Sequence, residues 1–434
     1  MQAMRYSAIV LLMMLGWLAP YAAPAGAEGN TDFETFELGE DFEIAETSTV
    51  HLLSKDLRFT ISAGGGMPPQ GSASEGSYRF DLRTQWGRYF DNGLFFSLDA
   101  KGVIGNSESR FIDNGDVAAG SLRLRDLYIQ KGADCWSLKA GYQVIVWGEL
   151  DMVQITDVVT PWDYSEFAFT APEDARVGQA MVLYEFYKAL GGTAGIFINP
   201  LPLTNRYPGG DARNLFAKSF GSTSFILEEN KQGSFGNNAE FGFKWKKNAG
   251  VMDLSFMGAS LYADDAVYTF KGTAPEPVFT SEYPKFVVGG AAVNIRAENL
   301  LWKVEAAHKE RDGVPSGGEK IVSDEVGLGV DVNIRDIYSL VFETSVRQGS
   351  DGDTSIYAAR GSRSFLNETL NAVIFLSYDT YNEYLVKALY FRYSVSDDFS
   401  AEFSGTVMDV GKEESPMKFV DSMDVVTLRV NYYF

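Results

Sequence analysis

Residues 425–434 end the chain and read VVTLRVNYYF, in which apolar and polar side chains alternate. The polar parity is Thr427, Arg429 and Asn431, and the apolar parity is Val426, Leu428, Val430, Tyr432 and Phe434. A period of two is that of a β-strand with two unlike faces. In a soluble sandwich the apolar face would join the core. In a transmembrane β-barrel it would face lipid, while the polar face would line a watery lumen, and this interpretation also accounts for the terminal aromatic residue.

The same alternation covers most of the chain, and the connections between alternating segments switch regularly between short and long. Short connections are predicted at 91–93, 132–135, 188–192, 247–250, 297–299, 335–336, 363–364 and 396–398. Longer ones are predicted near 65–77, 105–120, 148–175, 200–236, 263–284, 310–320, 348–353, 379–383 and 410–422. Barrels of the outer membrane have short periplasmic turns and long external loops. The sequence therefore predicts an all-β fold, an antiparallel up-and-down barrel of about 18 strands, or about 16 if the pair around 354–378 is misassigned.

Composition excludes some classes of protein. The chain has 434 residues and a net charge of −21, with 37 Lys and Arg against 58 Asp and Glu. So acidic a protein is a poor ligand for nucleic acid, whose phosphates need a positive surface. Cys135 is its one cysteine, so no internal disulfide can form. Of the two histidines, His51 lies in the N-terminal segment and His308 has no serine among its immediate neighbours. We therefore expect no enzymatic activity, and we predict no metal site and no cofactor.

The N-terminal 56 residues are predicted to form two segments. Residues 1–27 combine Arg5, an apolar run at 8–18 and the small residues Ala25-Gly26-Ala27, which is typical of a cleaved signal peptide. Residues 28–56 carry eight acidic residues and no basic one through Glu46, interleaved with aromatic side chains. This segment is either a disordered periplasmic tail or a plug that enters the lumen. The barrel itself is predicted to span 57–434.

Strand parity places basic side chains on the predicted lumen wall. They are Arg58, Arg79, Arg83, Lys101, Arg123 and Lys139, while Phe80, Leu82 and Leu138 take the opposite, lipid-facing parity. Two interpretations stay open. The basic residues either pair with nearby Asp81 and Asp99, or form a surface that steers anions or an acidic loop. Parity is unclear in 123–130 and 176–187.

The third external loop, 148–175, is predicted to fold into the barrel and narrow it. It has no basic residue, and its aromatic side chains would be unusual on an exposed loop. The candidate constriction residues are Glu149, Asp151, Asp157, Trp162, Asp163 and Glu166. Opposite the basic wall, they would create a transverse field. The alternatives are an ordinary solvated surface loop and a divalent-ion site at Glu149, Asp151 and Asp157.

The stretch GYQVIVWGE (141–149), followed by DVVTPWD (157–163), carries a family resemblance. It resembles a G-x-Q-x-V-x-W-G plus D-x-x-x-P-x-D pattern of a poorly characterised family of proteobacterial outer-membrane barrels, which is more distantly similar to the alginate-export porins. The resemblance covers about fifty residues, and it implies transport of solutes, polysaccharide or hydrophobic compounds across the outer membrane.

Together these features predict a porin-like channel for small solutes in the outer membrane of a Gram-negative bacterium. The alternatives are a transporter or exporter of hydrophobic compounds or polysaccharide, and a structural or adhesive barrel. The expected partners are outer-membrane lipids, lipopolysaccharide and the barrel-assembly machinery, with Val430, Tyr432 and Phe434 as the assembly signal. A homo-oligomer is one candidate state of assembly.

Overall fold

The fold is described from a computed structural model, for residues 57–67, 76–105, 119–164, 175–206, 226–229, 238–272, 278–314, 318–334, 337–412 and 424–434. The described strands are β1 (Leu57–Met67), β2 (Ser77–Tyr89), β3 (Leu94–Gly105), β4 (Ala119–Ala133), β5 (Trp136–Gln143), β6 (Gln179–Ala189), β7 (Gly192–Asn199), β8 (Ile226–Glu229), β9 (Glu240–Ala249), β10 (Met252–Tyr262), β11 (Val267–Gly272), β12 (Val278–Glu282), β13 (Lys285–Ala297), β14 (Leu300–Gly313), β15 (Gly318–Ile334), β16 (Tyr338–Gly349), β17 (Thr354–Phe365), β18 (Leu370–Asp379), β19 (Tyr384–Ser396), β20 (Phe399–Val410) and β21 (Val425–Tyr433).

Eighteen of these strands form one closed antiparallel barrel, which confirms the predicted fold and the higher strand count. Each barrel strand pairs with its neighbours in chain order, and β1 pairs with β21 to close the ring. Closure leaves the sheet without an open side, as a spanning sheet requires in hydrocarbon, where every backbone polar group needs a partner. The other three strands form a small sheet on the side of the long connections, in which β12 pairs with β11 and β8.

Besides the connection after β5, two predicted connections differ from the structure. The turn predicted at 363–364 lies at 366–369, because Leu366, Asn367 and Glu368 adopt left-handed φ angles of 53°, 53° and 69° that reverse the chain there. The long connection predicted at 310–320 shrinks to 314–317, since β14 continues to Gly313 and β15 begins at Gly318. The predicted turn at 335–336 lies outside the described residues.

The outer surface of the barrel is apolar. Phe80 and Leu82 are 56% and 48% exposed, and exposed large apolar side chains recur around the ring on every barrel strand. Exposed apolar side chains of this extent mark a surface that contacts something other than water, here the lipid predicted from strand parity. Among the described residues, no helix is long and apolar enough to cross a membrane.

A β-bulge explains the unclear parity in β4. Asp99 of β3 pairs with Asp126 while the next residue, Ala100, pairs with Leu124, so Arg125 is an extra residue that reverses the inward parity. In β6, odd-numbered residues such as Gln179 and Met181 face inward and are buried.

The inside of the barrel holds the main apolar core. Residues 144–178, which connect β5 to β6 and are called the inserted loop here, are described for 144–164 and 175–178. Their apolar side chains pack against inward-facing residues of the wall, among them Phe197, which is fully buried. Residues 1–56 lie outside the described part of the chain, so the signal peptide and the acidic segment stay predictions.

Candidate functional site

The inserted loop leaves the wall earlier than the sequence predicts. The strand was expected to end at Trp147-Gly148, but β5 ends at Gln143. Beyond it the chain stays extended and bonds to its own loop: Ile145 N donates to Thr160 Oγ1 (2.9 Å), and Trp147 N donates to Asp157 Oδ1 (3.3 Å). The backbone groups that would have continued the β4–β5 ladder are therefore satisfied inside the barrel.

Gly148 is required by this close packing. A Cβ atom at this position would lie 2.7 Å from Cβ of Asp157, so a larger residue would force the two parts of the loop apart. The two segments that carry the family resemblance, 141–149 and 157–163, are thus in direct contact. We infer that the pattern encodes the fold of this loop.

Two glutamates of the far wall bind the loop backbone. Glu305 of β14 accepts hydrogen bonds from the N–H groups of Glu149, Leu150 (2.7 Å) and Thr156 (3.2 Å), and from Thr156 Oγ1 (2.9 Å). Glu343 of β16 accepts three, from the residues Asp151 (2.8 Å), Met152 (2.7 Å) and Val153 (3.0 Å). Both side chains are buried, at 0% and 4% exposure.

The acidic side chains in the described part of the loop are all paired. Glu149 binds Lys244 (3.4 Å) and accepts from Asn294 Nδ2 (2.7 Å). Asp151 binds Lys303 at 3.0 Å, and Asp157 binds Arg176. Asp163 lies 3.4 Å from Arg123 and 3.3 Å from Arg206. The guanidinium of Arg176 lies over the ring of Trp162, 3.5 Å from the ring centroid. The remaining candidate, Glu166, lies outside the described residues.

This pairing changes the predicted transverse field. Glu149 and Asp151 do not face the basic wall of the first strands. They face a second set of basic residues on β9 and β14, Lys244 and Lys303, because the loop crosses the lumen and its tip reaches the far side. Of the described acidic residues of the loop, Asp163 binds the basic wall predicted from sequence.

The residues of the predicted basic wall lie on β1–β5. Arg83, Lys101 and Arg123 lie directly opposite one another on three neighbouring strands and form what we call the basic row. Like charges in this arrangement repel unless acidic residues are near. Asp99 accepts two bonds from Arg83 (2.8 and 2.6 Å), and Asp81 binds Arg79 and Arg429.

Two more predicted wall residues have different surroundings. Lys139 lies over the ring of Tyr128, 4.6 Å from its centroid. Arg58 shares the inward parity of Ser62 but is exposed, because it is near the periplasmic end of β1.

A cavity of about 290 Å³ lies between the inserted loop and the long connections, and we call it the vestibule. Its lining is mainly apolar and includes Trp162, Phe286, Ile321 and Ile356, and its cationic groups include Arg311 and Arg347. Arg347 binds Asp351, whereas Arg311 approaches the same carboxylate at 3.6 Å.

The other side of the vestibule is acidic. Burial raises the pKa of Asp264 well above its ordinary value, and the nearby carboxylates of Glu240 and Asp265 raise it further. A protonated Asp264 would remove one negative charge from this cavity.

No divalent-ion site forms from the predicted residues, since Glu149 and Asp157 bind different cationic partners. Within the described ranges, Asp151, Asp331 and Glu343 bring carboxylate oxygens within 4.8 Å of one another. Lys303 Nζ lies 3.0 Å from Asp151 and 2.9 Å from Asp331, so the lysine already supplies the positive charge.

Four residues that bind the inserted loop, Glu305, Glu343, Lys244 and Lys303, are not among those predicted from the sequence. In LWKVEAAHKE (301–310), parity alone places Lys303 and Glu305 on the face opposite the apolar Trp302 and Val304. Side-chain parity, which places the basic row in the lumen, also places these residues there.

No family model matches this sequence, and no curated protein does. The resemblance to alginate-export porins therefore finds no support. Solved structures with the same fold are outer-membrane β-barrel porins. OccAB1 of Acinetobacter baumannii is 9% identical over 87% of this chain and 95% of that one, with a TM-score of 0.53. OccAB4 of the same organism (10%; 87% and 98%; TM-score 0.50) and OpdK of Pseudomonas aeruginosa, solved with vanillate (10%; 88% and 99%; TM-score 0.50), are similar too. At these identities the likeness shows the fold.

Proposed function

We propose that this protein is a porin-like channel of a Gram-negative outer membrane, that it passes small solutes, and that the inserted loop is its constriction. The observation that carries this proposal is the position of residues 144–164, which cross the inside of a closed barrel and are anchored on its far wall. A solute moving through the barrel must pass the loop, since backbone closure leaves no other route through the wall. We propose outer-membrane lipids, lipopolysaccharide, the barrel-assembly machinery and a second copy of the chain as partners.

Two groups of basic residues, one on each side of the inserted loop, support small anions as the solutes. The basic row lies on one side of the loop, and on the other the vestibule presents the guanidinium of Arg311 at 12% exposure, with one 3.6 Å ion pair to Asp351. An arginine with several donors and one long contact is suited to bind a carboxylate or phosphate. The apolar lining of the vestibule would receive the rest of the molecule.

Apolar cargo is the second candidate, favoured by the apolar side chains with which the loop fills the barrel. Leu150, Met152 and Ile155 are at most 7% exposed, so the lumen at this level is packed rather than watery. A barrel of this kind would carry little ionic current until the loop moves.

The deciding experiment is current through purified protein in a planar bilayer. It compares the natural chain with a variant in which residues 149–158 are replaced by a short Gly-Ser linker, and with Leu366→Ala in an exposed turn as control. We expect a larger conductance in the loop variant alone, and a reversal potential that favours chloride over potassium. Equal currents in all three proteins would contradict the constriction, whereas a natural protein that carries no current until the loop is replaced would favour the apolar cargo.

A further inference from the structure

Five consecutive backbone N–H groups of the inserted loop, from Glu149 to Val153, converge on two carboxylates of the wall. The first two donate to Glu305 Oε1 and the next three to Glu343. Successive N–H groups that point to one side form an anion-binding concavity. Here the wall supplies the anions, so this part of the backbone has its hydrogen-bond acceptors outside the loop.

The wall between the two glutamates is shaped to receive the loop. Glu305 and Glu343 lie on β14 and β16, and the strand between them, β15, has Gly327 and Gly329 at this level. A Cβ on Gly327 would lie 2.5 Å from Cδ1 of Leu150 and 2.4 Å from Cδ1 of Ile155. We call the site formed by Glu305, Glu343, Gly327 and Gly329 the socket. Its glutamates bind the loop backbone, and its glycines leave space for the side chains of Leu150 and Ile155.

The loop depends on the socket because it is attached far away. The loop starts from β5, on the other side of the barrel. Between Gln143 and the socket, its backbone contacts one charged residue of the wall: Lys244 Nζ donates to Trp147 O (2.7 Å). Loss of the glutamates would leave buried N–H groups without acceptors, and such groups are costly to bury. The loop would then be more stable outside the socket, in a position where water can accept hydrogen bonds from these N–H groups.

We propose that Glu305 and Glu343 are positioning residues that act as a latch, keeping the inserted loop across the lumen and setting how often it leaves. The effect of the latch on current rests on the proposed function, whereas its effect on loop position does not. Glutamine is the sharpest substitution, since it keeps the shape but replaces one acceptor oxygen by an N–H₂ donor facing the donors of the loop.

The test measures loop position directly. In a Cys135→Ser background, Met152→Cys places a thiol at a site that is 1% exposed, and its rate of reaction with a water-soluble maleimide reports loop release. Glu305→Gln with Glu343→Gln should raise this rate roughly tenfold or more, because charge-assisted hydrogen bonds are lost at both ends of the segment. The matched control is Glu185→Gln, a wall glutamate of β6 that is 8% exposed and bonded to Ser137 Oγ (3.0 Å), and it should leave the rate unchanged.

Outcomes separate the latch from the proposed function. A rate unchanged in the folded double variant, or raised equally in Glu185→Gln, overturns the latch. A raised rate with an unchanged conductance supports the latch and contradicts the constriction. If the double variant does not reach the folded, heat-modifiable form on a gel, hydrogen exchange of the natural protein decides: slow exchange of the amides at 149–153 supports the latch, and exchange at the rate of exposed turns overturns it.

Discussion

At the scale of single residues, glycines of the wall determine how closely the inserted loop can approach. Gly327 faces the lumen where Leu150 and Ile155 pack, and the space a side chain would need is already occupied. Gly289 of β13, in contrast, has no heavy atom within 4 Å of a Cβ built on it. A comparison of substitutions at Gly327 and Gly289 therefore separates the effect of packing against the loop from the general effect of replacing glycine in a strand.

We predict that Gly327→Leu lowers the free energy of unfolding by about 1–3 kcal/mol, the usual cost of overpacking a filled core. Gly289→Leu adds the same side chain on the open outer surface and should change stability little. The measurement is the temperature at which each detergent-solubilised protein loses its folded band on an unboiled gel. Similar midpoints for both variants would mean that the loop does not pack against β15 as described.

Side-chain parity predicted much of the wall at this scale but not its partners. Counting puts Arg83 and Lys101 on the same face of the sheet, and the structure pairs these two residues directly. Arg123 lies in the stretch whose parity was unclear. Parity could not show that Glu305 binds Leu150, since these residues are 155 positions apart and neither carries a local signal of the other. Asp163 illustrates the same limit, because its acidic character was evident but its partner among several arginines was not.

At the scale of elements, Arg176 holds the inserted loop in shape. Its guanidinium binds the carboxylate of Asp157, donates to Thr160 O (3.2 Å) and lies over the ring of Trp162. Only a planar group with several donors makes these three contacts together. Burial lowers the pKa of Arg176 to about 9, with the nearby Asp264 raising it in part, so the side chain stays charged at neutral pH.

We predict that Arg176→Lys destabilises the protein by about 1–2 kcal/mol although the charge is kept, and that Arg176→Ala costs about 3 kcal/mol or more, because Asp157 then loses its buried partner. Arg206→Lys is the matched control: this side chain is 35% exposed and pairs with Asp163, so its effect should stay below about 1 kcal/mol. Denaturant midpoints in one detergent give the comparison. Equal losses for the two lysine variants would refute the role assigned to Arg176.

The end of β5 shows what periodicity can and cannot predict about an element. Side chains continue to alternate in exposure after Gln143, with Ile145 and Trp147 buried and Val146 half exposed, as they would in the strand that was expected to reach 147. Alternation describes the faces of an extended chain, and it carries no information on which backbone receives the hydrogen bonds. The extended conformation was therefore predicted correctly, but the partner that ends the strand was not.

At the scale of the whole molecule, strand number followed from counting connections because closure with both termini on one side demands an even number. A shifted turn, such as the one at 366–369, does not alter that count. The content of the lumen was harder to predict, because composition cannot distinguish an apolar side chain that faces lipid from one that faces an inserted loop. Phe375 of β18, with 1% exposure, faces the lumen, whereas Phe403 of β20, two strands further along the ring, faces outward at 43%.

Closure of the ring depends on the last residue of the chain. Phe434 O accepts from Phe59 N (2.8 Å), Phe434 N donates to Phe59 O (3.0 Å), and the two rings stack with centroids 5.4 Å apart. These contacts join β1 to the end of β21, and the pairing of these two strands closes the ring. The predicted assembly signal, Val430, Tyr432 and Phe434, lies on the outer face of this junction, at 36%, 49% and 57% exposure.

We predict a graded loss of assembly at this junction. Phe434→Ala keeps both backbone hydrogen bonds and loses the ring stacking, whereas deletion of Phe434 loses both, so the folded fraction should fall from the natural chain to Phe434→Ala and further on deletion. Leu428→Ala is the matched control, since Leu428 is 59% exposed on the same face of β21 but lies away from the chain end. The measurement is the fraction of heat-modifiable protein in the outer-membrane fraction of expressing cells. If Leu428→Ala lowered that fraction as much as Phe434→Ala, apolar area on β21 would govern assembly, and the terminal junction would have no special part in closing the barrel.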